Sequence, residues 1–206
     1  MPLIRIVQFA LFVFFSISIA IAQDKAEVFV QLGHRSAISA VSVSANGNKV
    51  ASGSLDGFIK LWDADSGREI KTLEGHQGSV QGIAFSPDGK QIASIGRDRT
   101  LRLWNSSTGV SQNVVSAHEN IALAIAFSND GKKIITGSFD KAVKVWDASS
   151  GRTLSALELQ SSPVRSIAIS KEDNLLAIGG EDGVIKIYNF PSGALAATLQ
   201  GHTNGV

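Results

Sequence analysis

The chain has 206 residues, 44% hydrophobic and 18% charged, a globular balance rather than a disordered one. Formal net charge is +1, and beyond Arg5, the single charge in the first 22 residues, 18 basic residues face 18 acidic ones, so no bulk field draws the chain to nucleic acid or an anionic membrane. The absence of cysteine excludes structural disulfides, thiolate zinc sites, cysteine nucleophiles and a cysteine-borne lipid anchor.

The first element is an apolar run, Ile6 to Ala22, preceded by Arg5 and ending in Ala20-Ile21-Ala22 before polar Gln23. One positive residue, an apolar stretch and a small-x-small site form the layout of a secretory signal peptide, so residues 1–22 are read as one and the mature chain as secreted or periplasmic. The run is 17 residues long, at the bottom of the range that spans a bilayer. The alternative is therefore an uncleaved anchor that holds the remainder on the exported side. A buried core helix fits worse, because the run has no polar face.

Everything after Gln23 aligns with itself at a shift of 42. Trp62-Asp63 recurs as Trp104-Asn105, Trp146-Asp147 and Tyr188-Asn189. Gly33-His34 recurs as Gly75-His76, Ala117-His118, Leu159-Gln160 and Gly201-His202. Asp56, Asp98, Asp140 and Asp182 keep the same register, as do Gly67, Gly109, Gly151 and Gly193. This divides residues 23–206 into units 33–74, 75–116, 117–158 and 159–200, with the start of a fifth at 201–206.

Each unit parses into four short strands, in the second roughly Val80–Ser86, Gln91–Ile95, Thr100–Trp104 and Ser111–Ser116. These stretches are β-branched or aromatic and alternate with polar residues, as in Leu101-Arg102-Leu103-Trp104. Ser86-Pro87-Asp88-Gly89 places glycine where a turn wants positive φ, with Gly47, Gly131 and Asp173 at the matching positions. A helix of about ten residues does not survive this punctuation. The fold class is all-β: four complete 42-residue units, each a four-stranded antiparallel sheet. One such sheet cannot bury both faces alone, so the copies stack around an axis.

A unit of this length with Gly-His and Trp-Asp landmarks resembles the WD-repeat (WD40) β-propeller family over residues 26–206. The resemblance implies hydrogen-bonded sets of a histidine, a hydroxyl, an aspartate and a tryptophan. These sets are His34, Ser52, Asp56 and Trp62; His76, Ser94, Asp98 and Trp104; and His118, Thr136, Asp140 and Trp146. Buried polar groups of these types are satisfied only as a network. The fourth unit departs, with Gln160, Ile178 and Tyr188 at three of the four positions and only Asp182 kept. It is expected to be held by packing more than by the network. Ala26–Leu32 resembles the strand before each later Gly-His, and in the family such a strand completes the last blade. Four units are about half of a usual ring. The expectation is a partial or open ring with unpaired edges prone to self-association.

Repetition also weighs against chemistry. His34, His76, His118 and His202 are separated by 42 or a multiple of it, so they are distributed around the ring rather than gathered on one ion. Each of the first three units carries the same residue types, which marks scaffold rather than a catalytic triad. No catalytic residue, metal site or cofactor site is read from the sequence, and no phosphate-binding glycine loop is present. Lys60, Arg102, Lys144 and Lys186 read as polar positions alternating along the third strand rather than as a basic stripe. Asn105-Ser106-Ser107 fits a glycosylation acceptor, but it lies where a turn wants such residues anyway.

In the family, partners dock on the rim formed by the start of the first strand and the turn before the third. The resemblance carries this to Ala37, Ser39 and Leu55; Ser79, Gln81 and Arg97; Ile121, Leu123 and Phe139; and Pro163, Arg165 and Glu181. The third set is wholly apolar, so the expected partner-binding rim comprises Leu55, Arg97, Ile121, Leu123, Phe139 and Arg165. The competing reading turns Ile121 and Leu123 inward. The function expected is a non-catalytic scaffold that binds a protein or peptide. The alternative is a docking or sensory segment of a larger enzyme or signalling protein.

Overall fold

Among the described residues sixteen short strands form four antiparallel sheets, each joining consecutive strands in chain order. Sheet 1 contains β1 (Ile38–Val43), β2 (Lys49–Ser54), β3 (Ile59–Asp63) and β4 (Glu69–Leu73). Sheet 2 contains β5 (Val80–Phe85), β6 (Gln91–Gly96), β7 (Thr100–Asn105) and β8 (Ser111–Ser116). Sheet 3 contains β9 (Ala122–Phe127), β10 (Lys133–Ser138), β11 (Val143–Asp147) and β12 (Thr153–Leu157). Sheet 4 contains β13 (Val164–Ile169), β14 (Leu175–Gly180), β15 (Ile185–Asn189) and β16 (Ala194–Leu199). This computed structural model describes residues 33–157, 160–190 and 192–205. The amino-terminal apolar segment and the extra strand expected at Ala26–Leu32 lie outside the described residues. Among the described residues no helix is long and apolar enough to cross a membrane.

The turns use the residues that their backbone demands. Gly47, Gly89 and Gly131 take φ of 76°, 70° and 71°, and Asp173 takes the same left-handed conformation at 53°. Asparagine and aspartate tolerate that region because their short polar side chains bond locally.

The cores lie between sheets rather than within them. Ala51, Ile59, Leu61 and Leu73 of sheet 1 pack on Val80, Ile83, Phe85, Ile92 and Trp104 of sheet 2. Ala93, Ile95, Leu101 and Leu103 of sheet 2 pack on Ala122, Phe127, Ile134 and Trp146 of sheet 3. Ile135, Val143 and Val145 of sheet 3 pack on Val164, Leu176 and Ile178 of sheet 4. Each large side chain so buried contributes about 1.5–3 kcal/mol. Neighbouring sheets meet mainly through their first strands, β1 on β5, β5 on β9 and β9 on β13, which places those strands innermost.

Each sheet has a β-bulge at two repeated positions, one between its third and fourth strands and one between its first and second. The β1–β2 ladder passes from Ile38 to Ala40, skipping Ser39. The equivalent ladders skip Gln81, Leu123 and Arg165. A bulge leaves one residue unpaired and re-aims its side chain. Here it frees the residue at the entry of each innermost strand.

Candidate functional site

The landmark polar residues form three equivalent relays. In sheet 2, His76 Nδ1 lies 3.0 Å from the Asp98 carboxylate and Nε2 lies 2.8 Å from Ser94 Oγ. Trp104 Nε1 donates to the same Oγ at 2.9 Å. Sheet 1 repeats this with His34 at 3.1 Å from Asp56 and 2.7 Å from Ser52, to which Trp62 donates at 2.8 Å. In sheet 3, His118 lies 3.1 Å from Asp140 and 2.8 Å from Thr136, to which Trp146 donates at 2.8 Å. The indole can only donate, so the hydroxyl accepts from it and is shared with His Nε2, while His Nδ1–H donates to the carboxylate.

Each carboxylate also clamps backbone. Asp98 accepts from Gln77 N at 3.1 Å, ahead of the first strand, and from Thr100 N at 3.2 Å, in its own turn. Asp140 does the same with Glu119 N and Ala142 N, both at 2.9 Å. Burial by itself would raise these carboxyls. The bonds and charge of the histidine and the backbone N–H groups outweigh it and hold Asp56, Asp98 and Asp140 below the usual carboxylate range. Burial pushes the His118 imidazole down from its ordinary 6.5, against the opposing pull of Asp140. These groups have their partners within the scaffold. Among the described residues no three His, Asp or Glu side chains gather in a way that could hold a metal ion.

The fourth sheet lacks the network and packs through Val164, Leu176 and Ile178, and it carries a shorter polar link of its own. The Tyr188 hydroxyl donates to Gln160 Oε1 at 2.9 Å, and Ser161 Oγ donates to Asp182 at 2.9 Å. Ile178, which replaces the central hydroxyl, is buried at 3% exposure. The phenol spans what the indole and hydroxyl span together elsewhere, so no orphan polar group remains at Ile178.

Two of the repeated cations of the third strands, Lys60 and Lys144, are tied down rather than displayed. Lys60 Nζ donates to Glu69 at 2.6 Å and to Thr72 at 3.1 Å. Lys144 Nζ donates to the Ala117 carbonyl at 2.6 Å. In sheet 2 the cation is Arg102, and a Cβ at Gly75 would sit 2.6 Å from its NH1. The broader guanidinium therefore requires glycine where the slimmer Lys144 allows Ala117.

The rim is built from the bulge and the turn before the third strand. Leu55 N donates to Ala37 O at 3.0 Å, Arg97 N to Ser79 O at 2.8 Å, Phe139 N to Ile121 O at 2.9 Å and Glu181 N to Pro163 O at 2.9 Å. These four bonds hold the turn against the strand entry in every sheet. They present Leu55 at 47% exposure and Phe139 at 40%, with Arg97 exposed at the intervening position of the repeat. Ile121 and Leu123 are half-buried. Arg165 donates to Glu181 at 2.8 Å, and both are exposed. Sequence reasoning located these residues by counting from the landmark histidine, but missed the bulge that turns Ser39, Gln81, Leu123 and Arg165 out of the ladder. A second concavity escaped it altogether. A cleft of about 610 Å³ opens between turns of sheets 2 and 3, lined by Asp88, Lys90, Gln112, Lys132, Asp147 and Ser149. Hydrogen bonds from Ser149 and Ser150 hold Asp147 at about 2, so its carboxylate is already engaged.

Compared with known protein families, the chain matches the family model described as IFT122 first beta-propeller over residues 16–204. The matched range begins inside the amino-terminal apolar run and extends through all four sheets.

Proposed function

Because the chain belongs to the family of the IFT122 first beta-propeller, a WD-repeat architecture, we propose that it is a non-catalytic scaffold whose rim binds a protein or peptide partner. The observation that carries this reading is the pairing of exposure with rigidity at Leu55 and Phe139. Each stands on a turn fixed by a backbone bond to the strand entry, so little ordering accompanies binding. Large apolar groups flanked by an arginine suit a protein hot spot. The partner is expected to bring an apolar side chain to Phe139 and an acidic or carbonyl group to Arg97. Nucleic acid is not expected as a partner, because the chain beyond Arg5 is electrically balanced.

Phe139→Asp tests the reading. Capture of the partner should be lost while the melting temperature stays within a few degrees of the parent. A large fall in melting temperature instead would make Phe139 a core residue and remove the basis for the rim.

The same reading places the chain outside the cytoplasm, secreted or periplasmic, on the layout of residues 1–22. N-terminal sequencing of the exported protein should begin near Gln23. A mature chain that begins at Met1 and fractionates with membranes would replace cleavage by anchoring.

A further inference from the structure

Sheets 1 to 3 place the cation of the third strand in three different settings. Lys60 of β3 donates to Glu69 Oε2 at 2.6 Å and to Thr72 Oγ1 at 3.1 Å, both on β4. Thr72 completes the triangle by donating to Glu69 Oε1 at 2.5 Å. Burial alone would raise the Glu69 carboxyl, yet the bonds from Lys60 and Thr72 hold it below its ordinary range. Lys144 of β11 has Thr153 and Ala156 at the matching positions, and donates instead to the Ala117 carbonyl at 2.6 Å.

Arg102 of β7 has neither arrangement. The register is the same: Trp104 pairs with Ser111 and Arg102 with Val114, as Trp62 pairs with Glu69 and Lys60 with Thr72. Ser111 and Val114 bring no carboxylate. The carbonyl that matches Ala117 O is Gly75 O, and Gln77 Nε2 bonds it at 3.2 Å. Among the described residues Asp98 alone comes within ion-pair distance of Arg102, 3.8 Å from Nε, and that buried Nε meets no acceptor of the protein. Asp98 offsets the charge at this distance but accepts no hydrogen bond, and a buried donor without an acceptor is costly. The side chain is nevertheless enclosed, at 13% exposure. A Cβ at Gly75 would meet Nη1 at 2.6 Å and Trp104 Cη2 at 3.1 Å, so the backbone there gives way to the guanidinium. Arginine in place of lysine suits planar, two-point binding of a carboxylate.

We propose that Arg102 receives a glutamate or aspartate side chain of a protein partner, which takes in sheet 2 the part that Glu69 plays in sheet 1. The occupant is a carboxylate because the same fold sets one on the same cation one repeat earlier. A phosphoryl group would bring a second negative charge beside Asp98. The carrier is a protein segment because the approach runs over β8, the last strand of its sheet, where Val110 and Val114 are 60% and 52% exposed. Val114 is the cross-strand neighbour of Arg102, so an acidic residue that reaches the guanidinium carries an aliphatic contact with it. The site uses none of the rim residues, and the proposal does not rest on partner binding there.

The test follows the Arg102 Nε–H resonance of the full chain by nuclear magnetic resonance, assigned by its loss in Arg102→Lys. The probes are acetyl-glutamate amide, acetyl-glutamine amide and inorganic phosphate, each at an ionic strength held constant with chloride. Acetyl-glutamate amide should move the resonance saturably, and on the order of tenfold more tightly than either other probe. Ser111→Glu should move it in the same direction with no probe, abolish the response to the probe and raise the melting temperature. That gain should vanish in an Arg102→Gln background. Phe139→Asp should leave the response unchanged, which separates this site from the rim. Equal movement by acetyl-glutamine amide or by chloride alone would overturn the proposal. So would tighter binding of phosphate, which would make the ligand a phosphoryl group, or no movement up to the solubility of the probes. A shift caused by Glu74→Gln alone would also overturn it, by showing that exposed Glu74 beside Gly75 supplies the carboxylate from within the chain.

Discussion

Tyr188 donates its hydroxyl to Gln160 Oε1 across 2.9 Å, and this one bond stands where sheets 1 to 3 carry an indole, a hydroxyl and an imidazole in series. The phenol is long enough to reach past buried Ile178 to the residue at the histidine position. The substitutions in the fourth unit are therefore concerted. Losing the hydroxyl alone would strand both of its neighbours, whereas changing all three positions leaves a shorter but satisfied link.

That contrast sets the first prediction. Ser94→Ala leaves Trp104 Nε1 and His76 Nε2 without their shared partner in a buried site. Each stranded group costs about 1–3 kcal/mol. Tyr188→Phe removes a single bond at a half-buried position and should cost about 1 kcal/mol. Urea denaturation of both variants should rank Ser94→Ala as clearly the more damaging, and equal losses would refute a hydroxyl shared by the indole and the imidazole.

Stability should fall in two stages on acidification. His118 has a folded pKa below 6.5, so its contribution is complete above 6.5 and is lost as pH falls from there through the folded value, because the unfolded chain takes up the proton first. Asp56, Asp98 and Asp140 are depressed below 3.8, so their contribution is complete above that value and lost as pH falls through their folded values. Thermal unfolding followed from pH 8 to pH 3 should show a shallow decline beginning near 6.5 and a steeper one below about 4. His118→Gln should remove much of the first stage. Stability that rose on acidification between 8 and 5 would contradict a neutral buried imidazole.

Two glycines with nearly the same backbone separate strain from packing. Gly67 and Gly109 have φ of 67° and 72°. Alanine at either position meets the left-handed penalty of about 1–2 kcal/mol. Only at Gly109 would the new methyl press on Lys71 and Leu73 of the preceding sheet, adding about 1–3 kcal/mol. The difference between the two variants in chemical denaturation measures the contact between sheets. A difference of zero would show that this contact relaxes freely.

Amide exchange should distinguish the sheets by their neighbours. Sheets 2 and 3 have a sheet on each side, and the β6 and β10 amides should exchange only through the slowest openings. Sheet 4 combines a shortened polar link with a fully exposed final strand, β16, and should exchange fastest. Uniform protection across the four sheets would argue against this order.

The repeat made the fold legible in the sequence. A period of 42, alternation along short segments and glycine at fixed turns determine the number of sheets among the described residues and their strand order, because each depends on residues close along the chain, while the members of the relay followed from the resemblance to WD repeats. The rim positions came from the same resemblance. Only the tertiary structure decided which copy of a repeated position is buried. Val41 and Ile83 occupy the same place in their units, yet one is 65% exposed and the other 6%, because burial depends on which sheet lies in front. It likewise decided that the skipped residue of the first ladder is re-aimed, and that Lys60 and Lys144 are tied down. Period and pattern are local properties, whereas packing is a relation between surfaces brought together by the whole chain.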